Sequence, residues 1–218
     1  MVTTNLVVAG DNIVVEGGLV LSKPFVETGA VVSPSANVGA GTRIWGLAHI
    51  RENVRLGKSC IIGRGVYVGS GVQIGDNCKV QNDALIYEPA RLGNGVFVGP
   101  AAVLTNDLFP RAVNSDGSLK SVSDWEPVGV VVEEGASIGA RAVCVAPITI
   151  GAWAMVAAGA VVTKDVASFS LVQGVPARHA GWVGRAGVPL QKKGDVFVCP
   201  ATGELYEELS GSLRTKDA

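Results

Sequence analysis

Leu56-Gly57-Lys58-Ser59-Cys60-Ile61-Ile62-Gly63-Arg64-Gly65-Val66-Tyr67-Val68-Gly69-Ser70-Gly71-Val72-Gln73-Ile74 is the stretch that decides the fold. An aliphatic residue stands at every sixth position (Leu56, Ile62, Val68, Ile74), and a small or β-branched residue follows four places later (Cys60, Val66, Val72). Read outward in steps of six, the aliphatic row runs unbroken from Val26 to Leu104, and the small row from Ala30 to Ala102. Glycine or asparagine recurs just after the aliphatic residue and three places after it, as at Gly57, Gly63, Asn53 and Asn77. These residues tolerate the left-handed backbone of tight corners. A period of six suits neither an amphipathic helix nor a long strand. It suits two-residue strands joined by corners, each turning one aliphatic side chain inward. The predicted fold is all-β: a parallel β-helix with three hexads per coil, in which residues 18 apart stack one strand spacing, roughly 4.8 Å, along the axis.

Composition agrees. Twenty-nine glycines in 218 residues are expected where corners recur at short intervals. Eighteen basic against nineteen acidic residues leave a net charge of -1, which gives no electrostatic footprint for nucleic acid or an anionic membrane. The first 21 residues lack a charged segment before their apolar runs, so no signal peptide is read and a cytoplasmic location is expected. Cys60, Cys78, Cys144 and Cys199 form no CxxC pair, and they are read as reduced thiols rather than disulfides or zinc ligands. With only two histidines, His49 and His179, a three-histidine zinc site is excluded and no metal is expected.

The hexads resume at Val132, Ile138, Cys144, Ile150, Val156 and Val162, but the step from Leu104 to Val132 is not a multiple of six. A loop over residues 105–128 is therefore extruded from the prism, and long loops on rigid solenoids carry function. The predicted organisation is an N-terminal β cap over residues 1–25, the β-helix over 26–182, and a C-terminal segment over 183–218. The last comprises a small hairpin around Phe197 to Tyr206 and a disordered tail from Ser210.

The repeat resembles the hexapeptide acyltransferases. The runs Ile44-Trp45-Gly46-Leu47-Ala48-His49, Val80-Gln81-Asn82-Asp83, Thr105-Asn106-Asp107-Leu108-Phe109-Pro110-Arg111 and Gly174-Val175-Pro176-Ala177-Arg178 resemble, more narrowly, nucleotide-sugar 3-amino N-acetyltransferases. The resemblance implies a left-handed prism, a homotrimer with acyl-CoA bound between neighbouring prisms, acetyl-CoA as acyl donor and a dTDP- or UDP-linked amino sugar as acceptor. Gly46 stands where that family has a histidine, and Asn82-Asp83 where it has paired asparagines.

Acyl transfer from a thioester needs a nucleophile with a free lone pair, a route for its proton, and donors for the oxyanion. A hydroxyl nucleophile wants a positioned base, commonly histidine. The amine of an amino sugar, acidified by neighbouring oxygens to below the lysine value of about 10.4, is partly free base near neutrality. Residues 105–128 contain no histidine, which favours an amine acceptor over the alternatives of an O-acyltransferase or a non-catalytic scaffold. Asn82 is, on residue type alone, a corner residue; the resemblance makes it the catalytic or amine-positioning asparagine. Glu88, beneath the root of the loop, is either a solvated carboxylate or the group that orients the sugar and accepts its proton. Gln81, Asp83, Tyr87, Asn106, Asp107, Arg111 and His49 are candidates for substrate binding, with Arg111 suited to phosphate. Ala146, Ala158, Lys164 and Arg178 are candidates for coenzyme A: the alanines admit the pantetheine arm, the cations meet the phosphates. His179 is read as a surface residue, and Trp45 as an outward ring at a subunit contact or against a base.

Overall fold

The computed structural model describes residues 7–9, 12–15, 19–209 and 211–216. The chain winds into a parallel β-helix whose three faces are sheets of nine, seven and six strands. Face one contains Arg43–Ile44, Ile61–Ile62, Lys79–Val80 and Phe97–Val98; face two contains His49–Ile50, Tyr67–Val68, Leu85–Ile86 and Val103–Leu104; face three contains Arg55–Leu56, Gln73–Ile74 and Arg91–Leu92. Pairing is in register at the 18-residue step, as in Ile62 with Ile44 and Val80, and Val68 with Ile50 and Ile86.

The last residue of each two- or three-residue strand of the prism points inward. From Ile44 to Leu104, and again from Val132 to Val162, both predicted rows are buried. The first coil differs. Val26 is 45% exposed and Val32 and Val38 are half-buried, because an end coil has a neighbour on one side only. From Val38 to Ile74 and at most later corners, the residue three places after the inward aliphatic takes positive φ, whether glycine (Gly65, 69°) or not (Asn77, 58°; Asp83, 60°). On the corner between faces two and three that slot is Pro89 just below the loop and Pro147 just above it, where the pyrrolidine ring forbids positive φ.

The glycine directly after the aliphatic residue has a different purpose. A Cβ on Gly63 would lie 2.6 Å from the backbone nitrogen of Asn82, and one on Gly75 2.8 Å from that of Asn94, so these glycines let successive coils approach.

The cysteines behave as core donors. Thr42 Oγ1 donates to the Gly57 carbonyl at 2.7 Å, and one and two coils later Cys60 Sγ and Cys78 Sγ donate to Gly75 and Gly93, each at 3.1 Å. Burial pushes the Cys144 thiol up to about 12. All four cysteines are free and buried.

Three antiparallel strands, Val7–Ala9, Asn12–Val15 and Leu19–Ser22, precede the prism. The capping contact expected of residues 1–25 rests on side chains outside the described residues. At the other end Ser170–Gln173 pairs with the antiparallel Arg178–Trp182, and a four-stranded antiparallel sheet follows: Gln191–Lys193, Val196–Val198, Leu205–Leu209 and Ser212–Thr215. The expected hairpin is thus extended at both ends, and Ser212–Thr215 lies within the segment predicted to be a disordered tail. It is held because Leu213 completes a small core with Phe169, Trp182, Cys199 and Tyr206. No helix is long and apolar enough to cross a membrane among the described residues.

Candidate active site

Three side chains two places after an inward aliphatic residue brace the coil below at its corners. Asp76 Oδ1 accepts from the backbone N–H of Lys58 at 2.7 Å, Asn82 Oδ1 from Arg64 at 3.0 Å, and Asn94 Oδ1 from Asp76 at 2.8 Å, each reaching back 18 residues. Glu88 holds the same slot of its hexad but is one methylene longer. Its carboxylate overshoots the corner, lies over Gly69, and leaves Oε2 buried without a hydrogen-bond partner. A buried carboxylate oxygen without a donor is costly and calls for a reason.

The surroundings of Glu88 are specific. The loop leaves directly above it: Val128 N–H donates to the Asn106 carbonyl at 3.1 Å to close the root, Ala146 N–H donates to Thr105 Oγ1 at 3.0 Å, and Gly129 lies against Pro89. Beneath it runs an aromatic row. Tyr87 and Tyr67 have ring centroids 5.3 Å apart, and Tyr67 and His49 5.7 Å. Arg51 Nη1 donates to Tyr67 Oη at 3.1 Å and Arg51 Nε to Glu52 at 2.9 Å. These bonds, that to Tyr67 first, hold the guanidinium above its ordinary value. Arg51 and Tyr67 were not among the sequence candidates. The 18-residue step that stacks His49, Tyr67 and Leu85 was the signal that could have found them.

The remaining candidates scatter around this centre. Gln81, Asn82 and Asp83 occupy the opposite corner of face two, one hexad from Glu88 and up to ~20 Å of extended chain away, and Ala158 lies on that same corner three coils higher. Asn82 and Glu88 of one chain therefore do not converge on one reacting atom. Asp107 lines a cavity of about 270 Å³ within the loop, with Phe109, Lys120 and Trp125; the indole Nε1 of Trp125 is buried without a partner. The loop itself is ordered by a turn at Asn114–Ser118 and a capped 3-10 turn at Val122–Asp124. Arg111 is exposed and donates to its neighbour's carbonyl, Pro110 O, at 3.0 Å. Ala146, at the bend between Val143–Cys144 and Ile148–Ile150, turns its side chain into the core, 1% exposed, so its methyl group is closed to a ligand.

Lys164 and Arg178 do come together, on the rim of a cavity of about 480 Å³ at the C-terminal end, with Asp165, Ser170, His179 and Trp182 also lining it. His179 is exposed, as expected, and its Nδ1 meets Ser170 Oγ at 2.7 Å. Trp45 points outward, 38% exposed, edge-on to Phe25. Among the described residues no group of three or more His, Cys, Asp or Glu side chains is placed to hold a metal ion.

Fold and repeat define a parallel β-helix built of hexapeptide repeats. The model described as bacterial transferase hexapeptide (six repeats) matches residues 71–106, and that of the hexapeptide repeat of succinyl-transferase matches 52–88 and 129–164, on either side of the loop. The chain resembles the dTDP-3-amino-3,6-dideoxy-alpha-D-galactopyranose 3-N-acetyltransferase of Aneurinibacillus thermoaerophilus, 42% identical over 81 residues, 37% of this chain and 42% of that one. It also resembles serine acetyltransferase 4 of Arabidopsis thaliana, 34% identical over 123 residues, 56% of this chain and 32% of that one. The chain thus spans well under half the length of these curated relatives. Among solved structures it is similar to PerB from Caulobacter crescentus in complex with CoA and GDP-perosamine, with TM-score 0.51 and 27% identity over 72% of this chain and 57% of that one.

Proposed function

We propose that the protein is an N-acyltransferase that moves an acetyl group from acetyl-CoA to the 3-amino group of a dTDP- or UDP-linked sugar. The observation that carries this reading is the buried, unpartnered Glu88 carboxylate oxygen, in a hexad slot whose occupants Asp76, Asn82 and Asn94 are each engaged on their own corners. An amine needs no strong base to become a nucleophile, only an acceptor for the proton it sheds. The amine nitrogen attacks the thioester carbonyl carbon, the C–N bond forms as the C–S bond breaks, Glu88 takes the proton from nitrogen, and the thiolate leaves to be protonated. Asn82 has its Oδ1 committed to Arg64, which leaves its NH₂ to donate to the oxyanion.

Because Asn82 and Glu88 sit on opposite corners of face two, the reading joins Glu88 of one subunit to Asn82 of the next in a homotrimer. Lys164 and Arg178 take the coenzyme phosphates, while the exposed Ala158 leaves room for the pantetheine arm. Asn106 and Asp107 hold the sugar from above, and Gln81, Asp83, Tyr87 and His49 line the acceptor side. The solved likeness to a protein in complex with CoA and a nucleotide amino sugar supports this. The likeness to a serine acetyltransferase raises O-transfer as the rival, and the lack of a histidine in the loop weighs against it.

A thiol-release assay with acetyl-CoA tests the choice, offering UDP- and dTDP-linked 3-amino sugars, the same sugars with a hydroxyl at that carbon, and serine. Turnover is expected with the amines alone. Equal release with hydroxyl acceptors overturns the reading in favour of O-transfer. No release with any acceptor, together with no binding of CoA by calorimetry, overturns transfer altogether.

A further inference from the structure

The outer surface of face two changes character at Glu88. Towards the C-terminal end its stacked outward residues are Leu85, Val103, Val143 and Val161, an aliphatic strip. Towards the N-terminal end lie His49, Tyr67 and Tyr87 with Arg51 and Glu52. Resting on the reading of Glu88 above, we propose that Arg51, Glu52, Tyr67 and His49 form the nucleoside diphosphate subsite of the acceptor, with Arg51 the residue that fixes the diphosphate.

Four features of the chemistry support this. Arg51 uses two of its five N–H donors on Tyr67 and Glu52; the rest of the fork is left for phosphate oxygens, and the two bonds hold it in one orientation. Tyr67 Oη accepts from Arg51, so its own proton is available to a second oxygen. Glu52 is exposed and suits the hydroxyls of a ribose, a pairing of carboxylate and sugar used elsewhere for nucleotides. The His49 ring, exposed and held edge-on by Tyr67, offers a face to the base.

Spacing agrees. Arg51 lies two coils below Glu88, roughly 10 Å along the axis, which is the order of the reach from a 3-amino nitrogen across the pyranose to the diphosphate. Coenzyme A also carries a nucleoside diphosphate. The aliphatic strip on the far side of Glu88 suits its pantetheine arm, and that places its nucleotide at the other end, by Lys164 and Arg178.

Calorimetry with UDP and dTDP, without sugar or coenzyme, tests this on the full chain. In Arg51→Gln the affinity for the nucleoside diphosphate is expected to fall about 10- to 100-fold, the loss of a charge-assisted fork, with CoA affinity within two-fold and the melting temperature unchanged. Arg51→Lys should fall between the two. With the amino sugar, KM should rise and kcat stay within a few-fold. The inference is overturned if the wild-type protein binds neither diphosphate, if Arg51→Gln binds them as well as wild type, or if it loses CoA instead. Failure of acyl transfer itself registers in the thiol-release assay, so the two ideas fail separately.

Discussion

Asn82 and Glu88 hold the same slot of consecutive hexads, and one methylene separates a satisfied corner from an unsatisfied one. Asn82→Asp tests whether Asn82 does more than brace its corner. Asp76 shows that an aspartate can accept the backbone N–H there, so stability should hold within ~1 kcal/mol. The lost NH₂ donor should still lower kcat by ~10²-fold, the scale of removing one oxyanion donor. Unchanged turnover would mean that Asn82 is a brace alone. Glu88→Gln keeps the shape and removes the proton acceptor. Its kcat should fall by ~10²- to 10⁴-fold with KM for both substrates within a few-fold, read from the thiol-release progress curve. A KM effect alone would make Glu88 a binding residue.

At the scale of elements the regular geometry gives its own expectations. Asn53 and Asn77 occupy the positive-φ slot that Gly71 holds in open space, so Gly71→Asn should cost under ~1 kcal/mol. Gly75→Ala, whose Cβ meets the backbone of the next coil, should cost ~1–3 kcal/mol or more. Denaturant melts of the pair decide whether close coil approach explains the glycine row. This regular part was legible in the sequence because every inward residue is constrained by period: both rows, the stacking of Cys60 on Cys78 and the extrusion after Leu104 follow from counting. Outward residues carry no such constraint. The failure of Glu88 to find a donor depends on side-chain length against a corner, and the bond from Arg51 to Tyr67 joins residues 16 apart that only coil geometry brings together. The C-terminal sheet escaped the hexad reading because it leaves the period. It hangs on Tyr206, whose hydroxyl donates to Glu204 and accepts from Arg185 N–H at 2.9 Å, and burial raises its pKa to about 12. Tyr206→Phe should loosen that sheet by ~1–3 kcal/mol and leave the prism intact, seen as faster amide exchange confined to residues 191–215.

For the whole molecule, the separation of Asn82 from Glu88 matters more than either residue. A site that joins corners of two prisms can be rebuilt from two broken chains. Asn82→Ala and Glu88→Gln, each inactive alone, should recover about a quarter of wild-type turnover when co-expressed in mixed trimers, since each junction draws one corner from each neighbour. No recovery in mixed assemblies verified by native mass spectrometry would put both residues in separate roles. The most direct measurement is a crystal structure with CoA and a 3-amino nucleotide sugar bound. The acceptor nitrogen is expected within ~3 Å of a Glu88 carboxylate oxygen, with Asn82 of the neighbouring subunit at the thioester oxygen. A sugar lodged elsewhere, with the Glu88 carboxylate facing no ligand, would contradict the account.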